Sequence, residues 1–448
     1  MVDYTDVITE ISSLLFKAIS EREPDLRSKV HQLDRELYKL LRAVGLQVVS
    51  MLLACLSTQV TQEVKATGLV VQRRKQVKYT VLFGELEIES PYLWDKKTRR
   101  GARPVKDQLG IQHGAQSLGV ERALADFGSE ESFGQAASRF KEHYGWVINR
   151  ARVGREVEKT ALKVEKYVAS RLVKANLDSS QPLTKRPKNE KIVVELDGCH
   201  IRTGTSIPAA EIKEGLTQKR QLPRRQRPSD WREVRVGLAR PLTQKDGRTY
   251  VARMSKYPEV VQQLASAAVD QGLSARSQVY AVADGGNGLR EALNVQFANL
   301  TFILDRPHLK EHLYEGAEAI GLTGVERHKW VSDKLHLIDK GDARKVIRAL
   351  KKYRGQGQKR ITSLFKHMQR FVDAIDYDYF RAIGLPIGSG EVESAHRYIP
   401  QKRLKIPGAT WHPDSINPML ALRIIRANNW WEDFWTQQGS TQQVFSAV

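Results

Sequence analysis

The chain has 448 residues, with 72 Lys plus Arg against 51 Asp plus Glu, a net charge of +21 and a pI near 9.8. That balance predicts strong, salt-dependent attraction to a polyphosphate backbone, and 41% hydrophobic content is enough to bury the cores of about two to four domains. Only Cys55 and Cys199 are present, which excludes a disulfide framework and a thiolate zinc cluster and fits a reducing cytosol.

Acids Asp3, Asp6 and Glu10 stand where a cationic leader would be, so no signal peptide is expected. Residues 1–66 carry helical periodicity through Leu33, Leu37, Leu40, Leu41 and Val44, as in a helical hairpin or one long helix. The longest apolar stretch, roughly Val44 to Leu56, falls short of the ~20 residues of a membrane span and is broken by Gln47 and Ser50. It reads as a buried helix, with no membrane as partner. In region 67–128, Val77, Tyr79, Val81 and Phe83 alternate with Lys78, Thr80 and Leu82, and Leu86 and Ile88 alternate with Glu87 and Glu89. This predicts a β-hairpin turning at Gly84-Glu85. The run from Lys96 to Arg103 is a basic loop that could lie on phosphates, or an ordinary solvated linker.

Region 129–176 predicts a first helix with Phe133, Ala136, Ala137 and Phe140 on one face, a break at Tyr144-Gly145, and a second helix from about Asn149. The second helix opens with Arg150, Arg152 and Arg155, the pattern of a helix-turn-helix that places its second member in a DNA groove. An ordinary packed helix pair would look the same apart from those arginines. Residues 177–190 are polar and proline-broken, the best domain boundary in the chain.

Beyond it, an α/β order follows: a strand to Asp197, a basic insertion with Lys219, Arg220, Arg224, Arg225 and Arg227, of which Arg224 and Arg225 are expected to bind DNA, and strands over 233–238 and 249–254 around the turn Lys245-Asp246-Gly247. A helix over 258–269, a strand to Asp284, a helix to about Phe297 and the strand Leu300–Leu304 complete it. The order suits a ribonuclease-H-like catalytic core over 191–309 and 381–435, interrupted by a helical insertion at 310–380. The preceding region is mainly helical and contains the β-hairpin.

Three acids stand out within this order. Asp197 and Asp284 each close a short apolar run before glycine, and Glu393 lies just inside a helix start, Gly388-Ser389-Gly390-Glu391-Val392-Glu393. Glu195, two residues before Asp197, shares its sheet face. Singly each acid has an ordinary explanation: Asp-Gly commonly ends strands, and an acid in a first helical turn complements the macrodipole, as Glu391 also could. Jointly they outline carboxylates at strand ends that hard cations would hold together. Asp305, His308 and His312 share one helix side; we read Asp305 as a cap and the histidines as structural rather than as metal ligands. Lys402, Arg403 and Lys405 could track phosphates. Trp411, in a Gly-Ala-Thr-Trp-His-Pro loop, reads as exposed, whereas Trp430 or Trp431, together with Trp435, reads as core.

Taken in order, Leu196-Asp197-Gly198, Trp231-Arg232-Glu233-Val234, Ala283-Asp284-Gly285, Asp305 to His308 and His312, Gly388 to Ser394, Lys402-Arg403-Leu404-Lys405 through Trp411, and Trp431-Glu432-Asp433-Phe434-Trp435 resemble the DDE insertion-sequence transposases of the ISKra group, relatives of the mutator-like enzymes. The resemblance covers about Val70 to Trp435. It implies Asp197, Asp284 and Glu393 as catalytic acids holding two Mg²⁺ ions, with Mn²⁺ able to substitute, and Asp305 and His308 as a family marker. It further implies double-stranded DNA, element ends and target, as partner, and a homodimer or larger assembly on that DNA. A prokaryotic, cytoplasmic and nucleoid-associated setting follows. Similar proteins often carry a cysteine pair after the N-terminal hairpin; Pro91-Tyr92-Leu93-Trp94-Asp95-Lys96 has none. A metal-dependent nuclease without strand transfer, and a DNA-binding derivative with a decayed site, are the other classes open to this sequence.

Overall fold

The computed structural model describes residues 3–22, 27–28, 30–177, 189–204, 229–244, 247–353 and 359–444, without the side chains of 174–177 and 441–444. The protein is mixed α/β. Its elements in order are α1 (Thr5–Arg22), α2 (Leu33–Ala66), β1 (Val70–Val81), β2 (Gly84–Asp95), β3 (Arg100–Ala102), α3 (Pro104–Asp107), β4 (Ala115–Gln116), α4 (Leu118–Glu130), α5 (Phe133–Tyr144) and α6 (Arg150–Leu177). Then come β5 (Lys191–Gly204), β6 (Ser229–Pro241), β7 (Thr249–Arg253), α7 (Tyr257–Asp270), β8 (Gln278–Ala283), α8 (Leu289–Gln296) and β9 (Leu300–Leu304). The remainder is helical: α9 (Arg306–Ala319), α10 (Gly324–Asp339), α11 (Ala343–Leu350), α12 (Lys359–Arg370), α13 (Tyr377–Ala382), α14 (Gly390–His396), a π-helical turn at Arg397–Gln401, α15 (Lys402–Leu404), α16 (Pro413–Ala427) and α17 (Trp431–Val444). The chain divides into two compact units. One comprises Met1–Ala123, Ala137–Ile148 and Gln437–Val448; the other comprises Leu124–Ala136 and Asn149–Thr436, so the division cuts α4, α5 and α17.

In the first unit, β1 and β2 form the expected hairpin, in a sheet of order β3-β2-β1-β4. Its turn is not Gly84-Glu85: Val81 pairs with Gly84, leaving Leu82-Phe83 as the two-residue loop. Gly84 sits at φ +150, and a Cβ there would press on Leu46, which explains the glycine. The basic loop is partly a strand, since Arg100–Ala102 pairs with Leu93–Asp95. Helix α2 covers the hairpin with Leu46, Val49, Leu53 and Val60 against Val77, Val81, Leu86 and Ile88. The buried helix expected over 44–56 is therefore corrected: no residue of that stretch is buried, it is covered on one side only, and the buried residues of α2, Ser57, Val60 and Thr61, follow it. Continuous over Val30–Ala66, the helical stretch is longer than the apolar run suggested and, contrary to the sequence reading, is long and apolar enough to cross a membrane, with 6% of its apolar window buried; its inner face is packed on the hairpin.

The second unit is built on a five-stranded sheet of order β7-β6-β5-β8-β9. Strands β5, β6 and β7 pair antiparallel, whereas β8 and β9 run parallel to β5. Near-continuous burial of Ile192–Leu196, Val279–Ala283 and Phe302–Leu304 marks strands covered on both faces, which is why they read as apolar runs rather than alternations. Helix α7 covers one face, where a Cβ on Gly237 would meet Leu196 and Leu264. Helix α14 covers the other, reached by Glu195. The segment between β9 and α14 is helical, as expected.

Candidate active site

Register sets the site. Leu196, Ala283 and Leu304 are aligned across β5, β8 and β9, so the residues that follow them, Asp197, Asp284 and Asp305, stand at one level along the strands. Asp305 N donates to Ala283 O at 2.8 Å, extending the β8–β9 ladder by one step. The two Asp-Gly pairs are unlike. Asp284-Gly285 is a turn: Gly285 has φ +79, a Cβ there would collide with Leu304 and Phe371, and Gly286 N donates to Asp284 Oδ1 at 2.9 Å. Asp197-Gly198 is not the turn that the sequence predicts, because β5 continues to Gly204, paired with β6 throughout. Gly198 is required for another reason, since the Glu233 carboxylate lies over it, 2.4 Å from where a Cβ would stand.

From Asp197 onward the strand has one covered and one open face, with Gly198, His200 and Arg202 exposed. Glu195, Asp197 and Cys199 share the face toward α14. Glu195, 1% exposed, accepts from Val392 N at 2.9 Å and so caps the start of α14. Burial, with Glu391 and Asp305 adding, outweighs that bond and Arg240 and pushes its carboxyl up to about 7. One turn later on α14, His396 Nε2 lies 3.3 Å from Asp197 Oδ2. Burial works against protonation of His396, but Asp197 and Cys199 beside it hold the imidazole up, at about 9. Asp197 is held below the usual carboxylate range: burial raises it, but His396, Gly198 N at 2.7 Å and the charge of His308 overcome that.

Asp305 is 2% exposed and serves as the N-cap of α9, accepting from His308 N at 3.3 Å, as the sequence predicts. It also accepts from Ser389 N at 3.1 Å and from the Ser389 hydroxyl, tying α14's start to the end of β9. His308 Nδ1 is 3.5 Å from Asp305 Oδ2; that carboxylate, against burial and with Asp197 and Asp284 adding, holds His308 up at about 9. His312 pairs with Glu315 at 3.6 Å and packs on His367.

On α14, Glu391 is spent on structure. It accepts from Arg240 Nε at 2.8 Å and Arg248 Nη1 at 3.1 Å. Glu393 is exposed, three residues before His396, with no ion pair or side-chain hydrogen bond among the described residues. Beside Asp284, Tyr257 places its hydroxyl over Gly286, and the Arg235 guanidinium lies 4.1 Å from the Tyr257 ring while pairing with Glu233. Sequence reading gave no role to Ser389, Arg235 and Tyr257, whereas His396, one turn after Glu393 on its own face, reads from the sequence as part of a polar stripe suited to an active site. Among the described residues no three His, Cys, Asp or Glu side chains are gathered closely enough to hold one cation.

One expected DNA contact, Arg403, is corrected. Arg403 is buried, donates to Gly128 O at 2.8 Å and lies between the rings of Phe133 and Trp411 at 4.8 and 4.6 Å, out of reach of phosphate. Burial, with Arg423 nearby, pushes its guanidinium down to about 10. Trp411 is buried rather than exposed: its loop bridges to Thr203, and its Nε1 donates to Leu404 O at 3.1 Å. Lys402 pairs with Glu130, and Lys405 is exposed. Arg150 and Arg155 are exposed at the start of α6, and Arg152 is half-buried. Arg224 and Arg225, with the rest of the basic insertion, lie outside the described residues, as do the 178–188 linker and Lys245-Asp246. Trp430, Trp431 and Trp435 are all buried.

No protein-family model matches the chain, and a search of curated proteins returns no significant relative.

Proposed function

We propose that the protein is a DDE-type DNA transposase of an insertion sequence, with a ribonuclease-H-like core formed by β5–β9 and the helices on its two faces. The observation that carries this reading is the alignment of Asp197 and Asp284 at the ends of adjacent parallel strands, with α14, the helix of Glu393, packed on the face that Asp197 shares. The sheet order, three antiparallel strands followed by two parallel ones, supports the core assignment. The net charge of +21 supports a DNA substrate.

The donors suit a hard cation, being carboxylate oxygens beside a strand end. Asp197, Asp284 and Glu393 would hold Mg²⁺, which when bound polarises a phosphoryl oxygen and lowers the pKa of attacking water. The chain's own residues do the positioning. His396 fixes the Asp197 carboxylate, Gly286 N fixes that of Asp284, and Asp305 with Ser389 fixes the start of α14. Hydrolysis at an element end and attack of the freed 3′-hydroxyl on a target phosphodiester would both use this geometry. Holding two ends together requires at least two protomers.

The test uses duplex DNA carrying the sequences that flank the gene, with Mg²⁺ and a supercoiled target. Replacing Asp197, Asp284 or Glu393 by Ala is expected to abolish cleavage and strand transfer while gel-shift affinity stays within about a few-fold, because basic surface is untouched. Full activity in Asp284→Ala refutes the assignment of the second acid. Cleavage without joining makes the protein a nuclease instead.

A further inference from the structure

Helix α2 is apolar on two opposite sides and covered on one. Leu46, Val49, Leu53 and Val60 are occupied by the hairpin core. On the far side Leu37, Leu41, Val44, Val48, Met51 and Cys55 follow one another at alternating steps of four and three, the heptad spacing of a two-helix seam with Leu41, Val48 and Cys55 at a and Leu37, Val44 and Met51 at d. Met51 is 65% exposed and its neighbour Leu52 59%. Leu37, Leu41, Val48, Leu56 and Cys55 are exposed as well. No charged side chain interrupts the helix from Ala43 to Gln62. A solvent-facing side of a helix carries charge as a rule; this one has the pattern of a face that is covered.

We propose that this stripe is a self-complementary interface, through which α2 pairs with α2 of a second copy of the chain. The heptad spacing favours a narrow helical partner over a flat one, because a and d side chains at that period stay on one seam along the helix. The exposed stripe amounts to roughly 500 Å² per copy, so pairing removes about 1,000 Å², the level at which specific interfaces begin. A lipid surface fits less well: the inner face of the same helix is packed on a sheet whose β1 strand exposes Arg73, Arg74 and Lys75, and charged strands cannot follow a helix into hydrocarbon. Helix α1 is apolar too, through Val7, Ile8, Ile11 and Leu14, but none of its residues is buried, so it does not cover the stripe. This interface stands or falls independently of the proposed activity.

Light scattering on the full chain at micromolar concentration is expected to give twice 50.8 kDa, and Met51→Glu the mass of one chain with an unchanged circular-dichroism melt. Alkylation of Cys55 by iodoacetamide, read by peptide mass, should be about tenfold slower in the native chain than in Met51→Glu, because pairing buries the thiol. Val48→Glu gives the same readouts should Met51→Glu fail to fold. A single-chain mass for the native protein overturns the proposal, as does a two-chain mass that survives both substitutions. Flotation of a monomeric native chain with phosphatidylcholine vesicles, lost in Met51→Glu, would assign the stripe to lipid and overturn it as well.

Discussion

Glu391 and Glu393 stand two residues apart on α14, about 200° apart around it, and their substitution by Gln should separate stability from activity. Glu391 accepts from Arg240 Nε at 2.8 Å, lies 2.7 Å from Arg240 Nη2, and accepts from Arg248 Nη1 at 3.1 Å. Arg240 is 3% exposed. Glu391→Gln therefore leaves a guanidinium inside the fold without a counter-charge, its acceptors being the carbonyls of Pro241 and Leu242, at 3.1 and 3.3 Å, and one neutral amide oxygen. Breaking a fully buried pair costs about 3–5 kcal/mol. Glu391 keeps 27% side-chain exposure, and the Gln amide still accepts one bond, which brings the expected loss to about 2–3 kcal/mol. Glu393→Gln touches no partner and should change stability by no more than about 0.5 kcal/mol. Urea unfolding followed by tryptophan fluorescence measures both, and Mg²⁺-dependent cleavage is then assayed where each variant is folded. Glu393→Gln is expected to lose cleavage, and Glu391→Gln to keep most of it. A destabilised Glu393→Gln with an unaffected Glu391→Gln would refute the packing argument, and cleavage lost only in Glu391→Gln would transfer the third acid to that residue.

Three further outcomes follow from the same geometry. Asp305→Ala, by stranding the Ser389 and His308 amides it accepts from, should lower stability by about 2–4 kcal/mol in urea unfolding; a loss below the noise would refute its role as the tie between β9 and α14. Lys405→Ala should reduce the slope of log affinity against log salt by about one, whereas Arg403→Met should leave that slope unchanged, since Arg403 is buried; equal effects would return Arg403 to the DNA surface. His367, pushed down to about 4 by burial and by the charges of His312 and Arg370, stays neutral in the fold while the unfolded ring titrates near 6.5. Its contribution is thus present above about pH 6.5 and is lost as pH falls toward 4, so native stability should drop between pH 7 and 5 by on the order of 1 kcal/mol more than that of His367→Phe, after discounting for solvent screening; parallel pH profiles for the two proteins would refute it.

The elements that the sequence predicts well are those with local causes. Strands β8 and β9 are short apolar runs between turn signals, and Asp305 precedes Pro307 at a helix start, so their limits match within a residue or two. Where the outcome depends on a distant segment, local reading fails. The strand beyond Asp197-Gly198 exists because β6, across the basic insertion, pairs with it as far as Ser229. Trp411 is buried because its loop returns to Thr203, and Arg403 because Phe133, from a distant part of the chain, and that same Trp411 enclose it. A basic run says how many charges there are, not which of them the fold consumes.

The same distinction decides between the three aspartates that register brings to one level. Composition and spacing treat Asp197, Asp284 and Asp305 alike, each following an apolar run. Their hydrogen bonds do not. Asp305 has both oxygens engaged, one by His308 N and the other by Ser389, and is sealed from solvent; a cation there would have to displace a helix cap and a buried hydroxyl together. Asp284 spends one oxygen on Gly286 N, and its other oxygen makes no hydrogen bond among the described residues. Asp197 accepts from its neighbouring amide and faces His396, a partner that an incoming cation can displace electrostatically. In the proposed site, the oxygen of Asp284 that makes no hydrogen bond among the described residues and the displaceable partner of Asp197, beside a fully engaged Asp305, favour Asp284 over Asp305 as the partner of Asp197. Ser389 then takes a definite part, since the hydroxyl that closes Asp305 also sets the start of the helix on which Glu393 stands.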